Sequence, residues 1–366
     1  MEPGIVERLL PWYREHRRDL SFRRTKDPYA ILVAEVLLQR TRIVSGLPYF
    51  ERFMDRFPTV ADLARASEED VLKAWEGLGF YGRARNLHRA AKALVTDHGG
   101  KVPGTFSALR ELPGIGDYTA GAVASIAFGE RVPAVDGNAI RVLSRVFRLS
   151  GDLTRGDARR RLFEIAASLV PPEDPGTYNQ ALMELGATVC RPTAPRCPKC
   201  PLRSHCGAFL SGNPERYPQV RVRTASPVVP VAFALARRNG TVLLVRRPPG
   251  GLLAGLWALP GGEIAPGDVR VSLRKILSRL GVDARIGGIA GAVDHTFSHR
   301  RWTGNVYRTR VSGVSGNLEG TIWASPEDLR RLPLVPFHRR LLERWASGSR
   351  EVASRTARGG KTSEPF

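Results

Sequence analysis

The sequence predicts a mainly α-helical N-terminal part joined to a smaller α+β C-terminal part, and three observations carry that prediction. From Pro28 to Val189 apolar residues recur at helical spacing, with stops at Pro58, Gly77, Gly79, Gly99-Gly100, Pro113, Gly151 and the stretch from Pro171 to Pro175. Residues 209–227, which include Ser211, Gly212, Asn213, Pro214, Pro218 and Pro227, lose periodicity and read as a linker. Beyond them the pattern turns to strands, with Asn239-Gly240 between two apolar runs as a hairpin signal. At 366 residues with 42% apolar content, the chain is long enough to build two or three cores.

The elements follow in chain order. Ile5, Leu9, Leu10, Trp12 and Tyr13 form a short amphipathic pattern, followed by the basic residues Arg17, Arg18, Arg23, Arg24 and Lys26. The next run, Ile31 to Leu38, is apolar except for Glu35, and a lone carboxylate among Ala30, Ile31, Ala34, Leu37 and Leu38 has little polar face to occupy. Burial there raises proton affinity, the property a general acid requires. Pro113 ends the helical pattern of Phe106 to Leu112. Gly114 and Gly116 permit positive φ, so the chain can reverse and present free amides at the start of the next helix, Tyr118 to Phe128. Such amides suit a phosphate, although an ordinary turn between core helices has the same pattern. One loop later stands a second carboxylate, Asp136, in Val135-Asp136-Gly137-Asn138. An acid to protonate a leaving base and a carboxylate to stabilise a sugar cation are what N-glycoside cleavage needs.

The chain's four cysteines, Cys190, Cys197, Cys200 and Cys206, lie in one stretch, and this favours a metal site over disulfides. Four thiolates suit either zinc or a [4Fe-4S] cluster. Arg191, Arg196, Lys199 and Arg203 give the loop a positive rim. Lys and Arg number 56 against 35 Asp and Glu, a net charge of +21 that points to a polyanionic partner, nucleic acid first. No basic start leads into an apolar leader and no segment reaches membrane-spanning length, so a cytoplasmic protein without membrane contact is expected.

In the C-terminal part, strands are expected over Val228–Arg237, Val242–Arg247, Ile286–Phe297 and Trp302–Val311. Helices are expected near Val269–Leu280 and Pro336–Ala346, and the tail from Ser347, rich in Ser, Arg, Gly and Lys, reads as disordered.

Several motifs, in order, resemble the MutY-type adenine DNA glycosylases of the endonuclease III superfamily. They are Asp27-Pro28-Tyr29, Ala34 to Gln39, Gly77 to Leu87, the Leu112 to Gly116 hairpin, Val135 to Asn138 and the cysteine spacing. The resemblance implies a helix-hairpin-helix glycosylase core over 1–208 whose four cysteines hold a [4Fe-4S] cluster. Within it, 1–27 and 134–208 form the cluster subdomain and 28–133 a six-helix-type subdomain with its hairpin at 112–118. It further implies that Glu35 protonates the flipped adenine, that Asp136 stabilises the sugar cation, and that Asn138 and Tyr118 position these groups. Gln39, Arg40, Thr41 and Tyr81, with Gly114 and Gly116 of the hairpin, are the DNA contacts it implies. Bifunctional relatives carry a Schiff-base lysine where this chain has Tyr118, so a monofunctional enzyme is expected. The family usually has a second Gln at Arg40 and a Trp at Phe22, and the Asp27–Thr41 run also resembles thymine or uracil mismatch glycosylases.

Leu259-Pro260-Gly261-Gly262-Glu263 and the helix ending at Gly281 resemble a Nudix fold over 228–346. Pro266, Lys275, Ser278 and Arg279 stand where its metal-binding glutamates belong, so this domain is expected to read rather than hydrolyse. Phe297-Ser298-His299 matches the loop with which MutY proteins meet 8-oxoguanine. The resemblance therefore implies a monomeric base-excision enzyme acting on double-stranded DNA with 8-oxoguanine:adenine or guanine:adenine mispairs. A thymine or uracil mismatch glycosylase, an idle damage binder and a Nudix hydrolase are the rivals.

Overall fold

The computed structural model describes residues 4–219, 226–316 and 319–347. Part of the expected linker, 220–225, and the expected disordered tail from 348 onward lie outside the described residues. Two units divide the chain, 1–225 and 226–366.

The N-terminal unit is helical throughout its regular structure. Its helices are α1 (Ile5–His16), α2 (Pro28–Leu37), α3 (Ile43–Arg56), α4 (Val60–Arg65), α5 (Glu68–Ala74), α6 (Gly82–His98), α7 (Phe106–Glu111), α8 (Asp117–Phe128), α9 (Gly137–Val146), α10 (Gly156–Leu169), α11 (Pro175–Thr188) and α12 (Gly207–Leu210). Side-chain caps set several starts. Asp27 accepts from the amides of Tyr29 and Ala30 with Pro28 in the first turn, and Ser67, Thr105 and Asp174 cap α5, α7 and α11. Apart from Glu35, α2 is buried from Tyr29 to Leu37, as befits a helix that is apolar all round. It packs on α8, and α11 packs on α1, α8 and α9. Ile5, Leu9 and Tyr13 of α1 share one core with residues of α9, α10 and α11 and with Leu202 of the cysteine loop.

The segment returning from α8 to α9 is gripped from both sides. Asn179, buried in α11, accepts from the Ala134 amide at 3.0 Å and donates to the Val132 carbonyl and the Ser125 hydroxyl, both at 2.9 Å. On the α8 side only a glycine fits: a β-carbon on Gly121 would stand 2.2 Å from the Pro133 carbonyl oxygen.

The hairpin corrects one expectation about its glycines. Gly114 has φ +76, and a β-carbon there would collide with Asn86, but Gly116 is extended at φ −94 and serves as the N-cap of α8. The turn needs one left-handed residue, not two, because Pro113 and Ile115 complete the reversal. The stretch expected to be linker also begins folded. Tyr217 is buried and its carbonyl accepts from Arg145, while Glu215 accepts from the Ala194 amide and Gln219 from the Gly151 amide. Side-chain contacts, not periodicity, hold this irregular segment.

The C-terminal unit is a sheet with a helix layer on each face. Its strands are β1 (Val228–Arg238), β2 (Thr241–Arg246), β3 (Trp257–Ala258), β4 (Gly261–Glu263), β5 (Val282–Thr296), β6 (Arg301–Val314) and β7 (Thr321–Ala324), and its helices α13 (Val269–Arg279), α14 (Pro326–Arg331) and α15 (Pro336–Ala346). The sheet order is β3-β2-β1-β6-β5, with β1 and β6 parallel, β4 against β1 and β7 against β2. Asn239 and Gly240 both take positive φ, as a tight hairpin turn requires. Alternation along β1 serves two cores. Val231, Phe233 and Leu235 face Leu329, Leu341 and Leu342, whereas Ala232, Ala234 and Ala236 let Leu273 and Leu277 of α13 approach closely. Among the described residues no helix is long and apolar enough to cross a membrane.

Gly121→Ala should lower the unfolding free energy by about 1–3 kcal/mol, since the opposing atom is backbone and cannot rotate away. Urea unfolding with an unchanged midpoint would contradict this account of the α8 contact.

Candidate active site

A cleft of about 840 Å³ in the N-terminal unit gathers Glu35, Gln39, Arg40, Thr41, Gly114, Gly116, Tyr118, Asp136 and Asn138, predicted site residues that are up to 103 positions apart in sequence (138 − 35). Packing of α2 against α8 brings the Tyr118 hydroxyl onto Oε2 of Glu35, to which it donates. Met183 Sδ lies 3.4 Å from the same hydroxyl. Burial among apolar neighbours pushes the Glu35 carboxyl up to about 7; the Tyr118 hydrogen bond and Arg23 oppose that rise and Asp136 adds to it. With Oε2 accepting from Tyr118, Oε1 is left to carry the acidic proton. Burial and the neighbouring carboxylates also hold the Tyr118 phenol well above its ordinary range, so it remains a donor.

Asp136 is the N-cap of α9, and capping sets its orientation. It accepts from the Ala139 amide and from Asn138 Nδ2, both at 2.7 Å. Burial raises its pKa, while these donors favour the ionised form. Asn138 in turn accepts from Arg141 at 2.8 Å, and Arg141 donates to the carbonyls of Gly186 and Cys190 at 2.8 and 2.7 Å. Gly186 leaves room for this contact: a β-carbon there would lie 2.5 Å from that of Asn138.

Sequence reasoning missed a second charged cluster on the cleft wall. Glu184, fully buried on α11, accepts from Arg18 Nε at 2.6 Å and Nη2 at 2.8 Å, and from Arg23 Nη2 at 2.8 Å. Burial pushes Glu184 up, but the Arg18 hydrogen bond and the Arg23 charge outweigh it and hold the carboxyl below its usual range. The signal was present, because Glu184, like Glu35, is a lone carboxylate in an otherwise apolar helical run.

The rim of the cleft departs from expectation at Tyr81. Tyr81 is 5% exposed and its hydroxyl accepts from the Gly77 amide at 3.2 Å, so its ring faces the interior. Its neighbour Phe80 is 46% exposed, in the left-handed region at φ +48. The Arg40 guanidinium lies 4.6 Å from the Phe80 ring, and that of Arg83 5.5 Å. Arg83 also donates to the carbonyls of Val36, Leu37 and Gln39 at the end of α2, which fixes the turn carrying Gln39 to Thr41. Desolvation lowers the Arg83 pKa to about 10. Gln39 donates to Thr119 at 2.9 Å.

Cys190, Cys197, Cys200 and Cys206 surround a small recess that Val189, Pro195, Phe209, Pro214 and Arg145 complete. Burial pushes the Cys200 thiol up to about 12 and raises Cys197 and Cys206. Arg145, 2% exposed, donates to the carbonyls of Arg191, Pro192 and Tyr217 and lies 3.3 Å from Cys190 Sγ. Among the described residues no carboxylate pairs with it, so the site has a buried cation facing sulfur. Also among the described residues, no three His, Cys, Asp or Glu form a group suited to one metal ion. Sulfurs set around a recess and faced by a cation suit an anionic cluster, in which each thiolate binds its own iron.

In the C-terminal unit Phe297 is partly buried and packs against the core, its ring 5.0 Å from Trp302 and 4.5 Å from His295, and Ser298 and His299 are exposed at the turn between β5 and β6. Lys275, Ser278 and Arg279 are exposed on α13 and Pro266 is exposed in the loop before it.

Comparison with known proteins agrees with both units. The family model described as HhH-GPD superfamily base excision DNA repair protein matches residues 33–168, and that of the NUDIX domain matches 231–344. The adenine DNA glycosylase of Rattus norvegicus is 36% identical over 381 residues, covering 88% of this chain and 74% of its own. That of Homo sapiens is 36% identical over 381 residues, covering 87% and 70%. Among solved structures, a thermostable thymine-DNA glycosylase aligns with TM-score 0.52 and 32% identity over 56% of this chain and 95% of its own.

Tyr118→Phe removes a donor that holds the Glu35 carboxyl down, so that group should titrate above about 7. A carboxyl titration by NMR on labelled glutamate that shows an unchanged or lower value would refute the hydrogen-bond assignment.

Proposed function

This chain belongs to the adenine DNA glycosylases of base excision repair, and on that premise we propose that it releases adenine opposite 8-oxoguanine or guanine by hydrolysis alone. The observation that carries the proposed chemistry is the Glu35–Tyr118 contact beside Asp136 in one cleft. The enzyme binds DNA, and in our reading the target adenine leaves the stack to enter that cleft while the protein acts as a monomer. Glu35 donates its proton to a ring nitrogen of the adenine. The bond from C1′ to the base breaks, and its electron pair leaves with the neutral adenine. The Asp136 carboxylate, oriented by Asn138 and the Ala139 amide, stabilises the cationic sugar until water adds at C1′ and yields a proton. Tyr118 offers no amine for a Schiff base, so the strand stays intact.

Other contacts follow from exposure and charge. Guanidinium N–H groups of Arg18 and Arg23, fixed by Glu184, supply donors on the cleft wall for purine acceptors. Phe80, rather than Tyr81, makes the DNA contact that the resemblance gave to Tyr81, stacking in the duplex with Arg40 beside it at the rim and the first-turn amides of α8 on a phosphate. The exposed Ser298–His299 tip reads the base opposite the adenine, a role supported by its match to the Phe-Ser-His loop. The four cysteines hold a [4Fe-4S] cluster, which when bound would cross-link the loop from Cys190 to Cys206.

Glu35→Gln should lower single-turnover excision by about 10²- to 10⁴-fold while duplex affinity is retained, because the carboxyl supplies a proton rather than binding energy. In the wild type the same rate should fall as pH rises through about 7, as Glu35 loses that proton. Normal excision by the variant, or a rate that climbs across that window, would remove Glu35 as the acid. Anaerobically purified protein should contain about four iron atoms per chain, and Cys200→Ser should lose iron and loosen the loop; stoichiometric zinc would exclude the cluster.

A further inference from the structure

The Ser298–His299 tip closes without the backbone twist of a tight hairpin, its two side chains 3.4 Å apart from Ser298 Oγ to His299 Nδ1. Phe297 donates its amide to the Arg300 carbonyl at 2.8 Å, which closes a two-residue turn, yet neither Ser298 nor His299 takes the positive φ of the hairpin turns that match strand twist. The turn is also tethered from the side. Glu263 Oε1 accepts from Arg300 Nη1 at 2.6 Å and from Trp302 Nε1 at 2.8 Å. Trp302 is 1% exposed, so without Glu263 its indole N–H is a buried donor with no partner. The Phe297 ring rests on Trp302, and the Arg247 guanidinium lies 5.5 Å from the Trp302 ring centroid. A single carboxylate oxygen therefore ties Arg300 and Trp302, the first and third residues after the tip, while Arg301 between them pairs with Asp294.

Glu263 reaches that place through the two glycines before it. β4 lies against β1 with Gly261 opposite Phe233, where a β-carbon would stand 2.2 Å from the Ala232 carbonyl oxygen, and Gly261 and Gly262 take φ +140 and +157. The Leu259–Glu263 motif thus keeps its backbone course in a unit whose metal-ligand positions are lost, and its one carboxylate is free to serve another end.

We propose that Glu263 is a positioning residue for recognition of the opposite base, holding the Ser298–His299 tip in its reading pose through Arg300 and Trp302. The proposal rests on the reading of that tip given above. An exposed ion pair adds little to stability, so what Glu263 and Arg300 contribute is orientation.

The test compares single-turnover excision from duplexes with 8-oxoguanine:adenine and guanine:adenine pairs. Glu263→Ala and Arg300→Ala should each reduce the preference for 8-oxoguanine about fivefold, the scale of one exposed charged contact. The double variant should lose no more than Glu263→Ala alone, because Arg300 acts through its contact with Glu263. Glu263→Gln keeps an acceptor for the Trp302 indole and should retain more of the preference than Glu263→Ala, which separates positioning from misfolding. A preference within about twofold of wild type in Glu263→Ala, or losses that multiply in the double variant, overturns the proposal. Ser298→Ala with His299→Ala tells where it failed: if that pair loses the preference while Glu263→Ala keeps it, only the anchor is wrong. If it too keeps the preference, the tip is not the reader and the anchor falls with it.

Discussion

A carboxyl group placed among apolar side chains is stable only if it is neutral or hydrogen-bonded, and the N-terminal unit is arranged around that constraint at Glu35. The α2 helix is buried on every side, so Glu35 opens only toward the cleft, and α8 must present Tyr118 to it. The packing of α2 on α8 makes that contact. It also brings the hairpin that precedes α8 and the Asp136 loop that follows it to the mouth of one cleft. The grip of Asn179 and Gly121 on residues 132–134 completes the arrangement by fixing where Asp136 emerges. Two carboxylates then share a cleft with different environments. Burial raises both, but one has a single side-chain donor, whereas the other is held by a backbone amide and a side-chain amide that favour its ionised form. Divergent environments are what divide acid from anion.

The excess of arginine has two uses, and composition alone cannot separate them. A net charge of +21 suits a polyanion such as DNA. Several of these cations nevertheless point inward as multivalent donors to backbone carbonyls: Arg83 at the end of α2, Arg141 between Asn138 and Cys190, and Arg145 at the cysteine recess. A guanidinium carries five N–H donors in a planar fork, so one side chain can tie together segments with no regular structure in common. In this way the cysteine loop and the Asp136 loop are mechanically joined to α9.

The C-terminal unit matches the NUDIX domain family model over residues 231–344, and Lys275 and Arg279, at positions where the resemblance leads one to expect metal-binding carboxylates, are exposed cations on α13. The alternation of large residues and alanines on β1 accounts for the retained fold. The sheet carries a core on each face, and neither includes Pro266, Lys275, Ser278 or Arg279.

Much of this protein was determined locally and is readable from the chain. Helical periods, the Asp27, Ser67 and Asp136 caps, the Asn239-Gly240 turn and the cysteine spacing act over a few residues, so the element order and the lone carboxylate of α2 follow from the sequence. Tertiary structure decided the rest, because burial and side-chain pairing between distant residues depend on how helices pack. Tyr118 meets Glu35 across 83 positions and Arg18 meets Glu184 across 166. Arg300 meets Glu263 across 37. The clearest case is the pair Phe80 and Tyr81: two adjacent aromatic residues give no local reason to prefer either. A left-handed backbone at Phe80, supported by Arg40 and Arg83, turns that ring outward and sends Tyr81 inward to the Gly77 amide.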